Sequence, residues 1–192
     1  MANPLAEFLG RNDRVLIRVP PLALVVGASL FVACCARLSV PLPFTPVPLS
    51  LANFGVLMVG LVLGARRGFA ALVLYLVEGA MGLPVFSPTG PGGLAQLVGP
   101  TGGFLLAYPL AAAVAGLIAK SEKPTLSRTM AAAAVAELVL FSGGIGWLAI
   151  LSHSLSQAVR LGLYWFVFAE VIKILAAAVL ARGWQGAGRI AE

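Results

Sequence analysis

The run from Leu161 to Ala181 constrains the fold of this chain more than any other stretch. It is apolar and long enough to cross a bilayer, and Arg160 and Arg182 mark its ends. Two opposite charges, Glu170 and Lys173, interrupt its middle. A charge at the centre of a helix in hydrocarbon costs about 2.5–3.5 kcal/mol, so such residues face a partner, a cavity or a substrate. The i, i+3 spacing puts both on one helical face, within pairing reach. A carboxylate accepts hydrogen bonds and an ammonium donates them, so the pair could hold a small polar molecule by both kinds of group. It could equally be a structural ion pair locking the helix into its bundle. These two residues alone leave both readings open.

Composition places the rest of the chain around that helix. Of 192 residues, 60% are hydrophobic and 10% charged, and the mean hydropathy is +0.99. Soluble domains carry roughly 25% charged residues, so an all-α integral membrane protein with one membrane domain is expected. The net charge of +6 does not indicate nucleic acid, because the basic residues fall in short clusters between apolar runs, as the positive-inside rule distributes them. The first twenty residues lack a small-residue cleavage site after an apolar core and do not read as a cleaved signal peptide. Cys34 and Cys35 are adjacent and read as small packing residues.

Six spans follow in order. Residues 1–19 form a cytoplasmic leader, 20–182 the six-helix membrane domain, and 183–192 a cytoplasmic tail. Helix 1 runs from about Pro20 to Leu38, its prolines suited to a first turn. Pro41, Pro43, Pro46 and Pro48 exclude a regular helix next. This stiff apolar segment either packs over the bundle mouth or is a plain connector. Helix 2 spans about Ser50 to Gly64, followed by a tight basic turn, Ala65-Arg66-Arg67-Gly68, and helix 3 from Phe69 to Leu83. The glycine- and proline-rich stretch from Gly82 to Gly103 cannot lie bare in lipid, so it caps the protein or lines a cavity. Its glycines allow close approach of backbone to a ligand. Thr101 is placed to cap helix 4 (about Gly102 to Lys120), and helix 5 runs from Ser127 to Ser152. Residues 152–160 read as a connector, and Leu161–Ala181 is helix 6.

With the N-terminus inside, the inner segments hold Arg11, Arg14, Arg18, Arg66, Arg67, Lys120, Lys123, Arg128, Arg182 and Arg189, and the outer loops only Arg37 and Arg160. This asymmetry supports six spans with both ends cytoplasmic. It puts the proline-rich and glycine-rich loops together on the outer face. Glu170 then lies about 15 Å below that face at 1.5 Å per residue, under a lid.

Signatures of catalysis are missing from the sequence. No glycine-rich phosphate loop precedes Lys120-Ser121, so the chain cannot be its own ATPase. No His/Cys/Asp set has metal spacing, and His153 stands in a connector. Binding or transport is expected rather than enzymatic activity, without metal or cofactor. A second reading is a stand-alone proton-coupled carrier using Glu78, Glu137 and Glu170. In the bland alternative, Glu78 lies near the outer boundary and Glu137 is protonated or hydrogen-bonded inside the bundle.

Four segments carry a resemblance to a known family: Ser39 to Pro48; Asn53-Phe54-Gly55-Val56-Leu57 with Gly64 and Arg66-Arg67-Gly68; Gly79-Ala80-Met81-Gly82-Leu83-Pro84-Val85-Phe86 with Gly99-Pro100-Thr101-Gly102-Gly103; and Glu170-x-x-Lys173. In this order and spacing they resemble the BioY family, the biotin-specific substrate-binding (S) components of energy-coupling factor (ECF) transporters. The resemblance covers about Leu22 to Ala181. It implies six helices in a bacterial inner membrane, biotin bound near the outer face, and three further subunits: a transmembrane coupling protein and two cytoplasmic ATPases. It also implies that Glu170 and Lys173 bind ligand.

The chain departs from the family pattern at three positions. The helix 6 acid is usually aspartate and is Glu170 here; a loop asparagine is replaced by Gly90-Pro91; a helix 4 arginine is replaced by Leu105. Backbone groups, Asn53, Thr89 or Gln96 are the candidates for the missing contacts, and Thr45 and Gly90 are further expected substrate-binding residues. Glu170 suits the ureido N–H groups of biotin and Lys173 an acceptor oxygen. Phe44, Phe86, Tyr164 and Trp165 are candidate apolar walls, or ordinary packing residues. For the coupling protein, the resemblance points to small residues on helix 1, where Gly27, Ser29 and Ala33 stand. They could instead pack helix 1 within its own bundle.

Overall fold

Apolar helices pack side by side in the computed structural model of the chain, which describes residues 20–121 and 125–190, the last six as backbone. Helix α1 (Pro21–Arg37) starts after Pro20 and has a proline in its first turn, where no N–H is needed. The strands β1 (Ser39–Val40) and β2 (Leu49–Ser50) pair antiparallel, Ser39 opposite Ser50 and Val40 opposite Leu49. They turn the proline-rich segment into a short ribbon with its tip at residues 42–47.

Helix α2 (Ala52–Ala80) contains one residue with non-helical dihedrals, Gly64, at φ 76° and ψ 175°. The chain reverses there. A Cβ added to Gly68 would lie 3.3 Å from the Cα of Gly60, whereas eight residues of straight helix span about 12 Å. The reversal therefore falls on Gly64, and Ala65-Arg66-Arg67-Gly68, expected as a turn, is already helical. Only glycine adopts such dihedrals freely.

Helix α3 (Gly93–Val98) is a short helix inside the glycine-rich stretch, which composition alone had suggested was irregular. Helix α4 (Gly102–Ala119) follows. Thr101 precedes it in αR geometry, and its side chain makes no capping bond, contrary to expectation. Helix α5 (Leu126–Ser152) is capped by Thr125, whose side chain accepts from the Arg128 amide at 3.3 Å.

The expected connector after Ser152 is largely helical: α6 (Leu155–Val159) runs into a π-helical turn, Arg160–Tyr164. Helix α7 (Val167–Ile190) begins two residues later, bent by 50° from the preceding piece. Leu161 to Ala181 is thus not one straight helix, and no helix end falls at Arg182. The proposed leader, residues 1–19, the turn centre at 122–124 and the tail end at 191–192 lie outside the described residues.

Small residues let these helices approach. Gly60 and Gly68 of α2 face Ala112 of α4, and Gly116 of α4 lies against the backbone at Gly64 and Ala65. Gly103 of α4 lies against Gly143 and Trp147 of α5. In lipid, where van der Waals packing replaces the hydrophobic effect between helices, such contacts hold a bundle together. Among the described residues, three helices are long and apolar enough to cross a membrane, and the bent pair makes a fourth if it counts as one span.

Candidate functional site

The stripe Phe166, Glu170, Lys173, Ala177 and Ala181 runs down one face of α7 and is buried along its length. The i, i+4, i+7 spacing aims it at α2 and α5. The bend before Val167 puts Glu170 in the first turn of α7, not in mid-helix as the uninterrupted run suggests. There the partial positive charge of the helix N-terminus favours a carboxylate. Its own amide bonds to the Phe166 carbonyl at 2.9 Å.

Lys173 Nζ donates to Glu170 Oε1 at 2.7 Å and to the Ser50 carbonyl at 2.5 Å. The ion pair is therefore bolted to β2, across 123 residues of sequence. An ammonium has three donors, and these bonds use two. Glu170 Oε2 is buried with no hydrogen-bond partner among the described residues. Such an orphaned acceptor in a protein interior is costly unless a ligand, water or proton serves it.

A cavity that is partly open to solvent lies above this pair. Of the residues expected to bind ligand, it brings together Glu170, Asn53 and Gln96. Lys173 stands directly behind Glu170. Most of the wall was not anticipated: Tyr75, Tyr108, Phe104, Phe141 and Phe166 supply the apolar surface. Their signal in the sequence was aromatic rings inside apolar runs, which reads equally as packing. Leu105 also lines the cavity.

The polar side of the cavity is a network. Asn53 Nδ2 donates to Glu137 Oε1 at 3.1 Å, and Tyr108 OH donates to Asn53 Oδ1 at 3.1 Å. Glu137 is buried, and its Oε2, like that of Glu170, has no partner among the described residues. Glu78, by contrast, accepts a hydrogen bond from Ser29 Oγ, which does not favour a relay of three carboxylates.

The other expected ligand residues stand elsewhere. Phe44 is exposed and packs on Trp165, ring centres 4.3 Å apart. Tyr164 is 70% exposed and meets Trp165 edge-on. Neither is a cavity wall, because the bend turns residues 164–165 away from the face that carries Phe166 and Glu170. Phe86 is buried, but it packs edge-on against Tyr75 at 5.3 Å and so supports the wall from behind. Thr45 donates to the Leu161 carbonyl at 2.6 Å, fastening the ribbon tip to the π-helical turn. Thr89 is exposed and bonds to Ser87 at 2.8 Å, and Ser87 bonds to Ser39 at 2.7 Å. Gly90 lies against the side chain of Gln96, so its lack of a Cβ makes room for that amide.

The small residues of α1 divide. Ser29 is fully buried and bonded to Glu78, so it is not part of an outer docking face; its role is packing inside the bundle. Ala33 is half-buried against the core. Gly27 is exposed and lines an apolar groove with Phe31, Met58 and Trp184.

The comparisons with known proteins agree on one family. The BioY family model matches residues 11–189. The "Probable biotin transporter BioY" of Pyrococcus horikoshii is 37% identical over 161 residues, 82% of this chain and 93% of that protein. The "Biotin transporter BioY" of Thermotoga maritima is 36% identical over 160 residues, 82% of this chain and 92% of that protein. A crystal structure described as the S-component for biotin from an ECF-type ABC transporter superposes with a TM-score of 0.78 at 23% identity, covering 97% of this chain and 95% of that one, and shows the same fold. With a family model matched over nearly its whole length and relatives this similar, the chain belongs to the BioY family.

Proposed function

We propose that this chain is the membrane component that captures biotin for uptake. The observation that carries the reading is the buried Glu170–Lys173 pair under an aromatic-walled cavity, with one Glu170 oxygen lacking a donor among the described residues. Biotin has N–H donors and a carbonyl on its ureido ring, an apolar thiophane and chain, and a carboxylate. The N–H groups suit Glu170 Oε2, the unused donor of Lys173 suits an acceptor oxygen, and the rings of Tyr75, Phe104 and Phe166 suit the apolar part. The names of the relatives point to the same ligand.

The chain crosses a bacterial inner membrane six times in this reading, the two halves of α2 counting separately, with both termini inside. The β1–β2 ribbon and the stretch 82–101 cover the cavity on the outer side, latched by the Ser39–Ser87 and Thr45–Leu161 hydrogen bonds. Uptake is driven by partners: a transmembrane coupling protein and two cytoplasmic ATPases. Their docking face includes the exposed side of α1 at Gly27.

Equilibrium binding of radiolabelled biotin to the purified chain in detergent tests the proposal. Saturable binding at one site per chain, competed by unlabelled biotin, is expected. A folded chain that does not retain biotin refutes it.

A further inference from the structure

We propose that Glu137 is a positioning residue: it sets which way round the Asn53 amide is presented to the ligand, and thereby the ring chemistry that the cavity accepts. This rests on the biotin-binding reading and names a specificity determinant for that site.

Asn53 is on the cavity wall, and Glu137 is behind it. A side-chain amide turned by 180° has nearly the same shape, so only the donors and acceptors around it decide its orientation. Tyr108 does not decide it, because a phenol can donate or accept. Glu137 does, because a carboxylate only accepts, so the nitrogen end of Asn53 must face Oε1. The observed bonds have this polarity, with Nδ2 to Glu137 and Oδ1 to Tyr108.

The charged neighbours of Glu137 are Glu170 and Lys173 on α7, and Glu137 in turn acts on Tyr108 of α4. Glu137 Oε1 accepts from Asn53 Nδ2, so a proton on this carboxyl would sit on its Oε2 and leave Oε1 an acceptor. The turned amide would set two acceptors against each other in a buried site and leave a donor unmatched, which the interior penalises. With one N–H and one lone pair spent on its neighbours, Asn53 keeps one of each in a fixed order. A cyclic urea also presents N–H and carbonyl in fixed order, and sites built on hydrogen bonds reject analogues that break the match.

Replacing Glu137 by glutamine removes the constraint, since that amide can donate or accept. The experiment compares the affinities of biotin and 2-thiobiotin, in which the ureido carbonyl oxygen is replaced by sulfur, a weak acceptor, on purified chains in detergent. Glu137→Gln is expected to shrink the preference for biotin by about tenfold, the worth of one hydrogen bond. Glu137→Asp, still acceptor-only, restores most of that preference. Tyr108→Phe weakens both ligands by the same factor and supplies a test independent of whether Glu137→Gln folds. An unchanged preference in folded Glu137→Gln, equal loss in the Gln and Asp variants, or a changed preference in Tyr108→Phe overturns the inference alone. A wild-type chain that binds neither ligand overturns it together with the biotin reading.

Discussion

Lys173 serves two acceptors at once, Glu170 Oε1 and the Ser50 carbonyl. Replacing it by alanine leaves a buried carboxylate without its cation and a strand carbonyl without its donor. Truncating one partner of a buried, hydrogen-bonded charge pair costs about 2–5 kcal/mol. Lys173→Ala is therefore expected to weaken biotin binding roughly thirtyfold or more, read by the same equilibrium assay. Unchanged affinity in a folded Lys173→Ala chain would remove Glu170 and Lys173 from the binding site. The pair was visible in the sequence because two charges in an apolar run have few places to go. Its choice between structure and binding was not visible, because Ser50 and the unpartnered Oε2 belong to contacts made across the fold.

Among the elements, α2 depends most on a single position. At Gly64 the chain turns back at φ 76° with open space around a would-be Cβ, so any cost of a side chain there is backbone strain and not collision. Gly64→Ala is expected to destabilise the chain by about 1–3 kcal/mol, seen as a lower thermal midpoint in detergent. Gly146→Ala is the control: Gly146 also has open space, but it is a regular position in α5, where alanine is neutral or stabilising. Equal midpoints for the two variants would show that the reversal does not need glycine. The sequence marks a break near Gly64 through the glycine and the arginines after it. It does not say that helix resumes at once, because Arg66 and Arg67 suit a helix and a turn alike. The bend before α7 was hidden for a similar reason: Leu161 to Ala181 contains no proline, and the close approach of Gly162 in the π-helical turn to Leu148 and Phe104 is made across the fold.

For the whole molecule, orientation and assembly are proposals from charge and surface. With Ser87 outside and Ser121 inside, Ser87→Cys in a cysteine-free background is expected to react with an impermeant maleimide in intact cells, and Ser121→Cys only after lysis. The reverse pattern would invert the topology and move the cavity mouth to the inner face. A tryptophan at Gly27 has room within the chain, since nothing lies within 4 Å of a Cβ there. Gly27→Trp is expected to keep biotin binding by the isolated chain and lose co-purification of the coupling subunits. An intact complex would place docking elsewhere.

Hydropathy and the spacing of a few glycines and prolines were enough to read a helical membrane protein and to put Glu170 and Lys173 on one face. These are local or one-dimensional properties: the bilayer sorts apolar from polar segments, and helical periodicity sorts faces. The aromatic walls, the support of Phe86 behind Tyr75, the inward turn of Ser29 and the hold of Glu137 on Asn53 were decided only by the tertiary structure. Each depends on which helices are neighbours and how they are rotated, and that follows from small-residue contacts spread over distant segments, in which Gly60 meets Ala112 and Gly103 meets Gly143. In a chain that is apolar on nearly every face, periodicity alone cannot say which face looks inward.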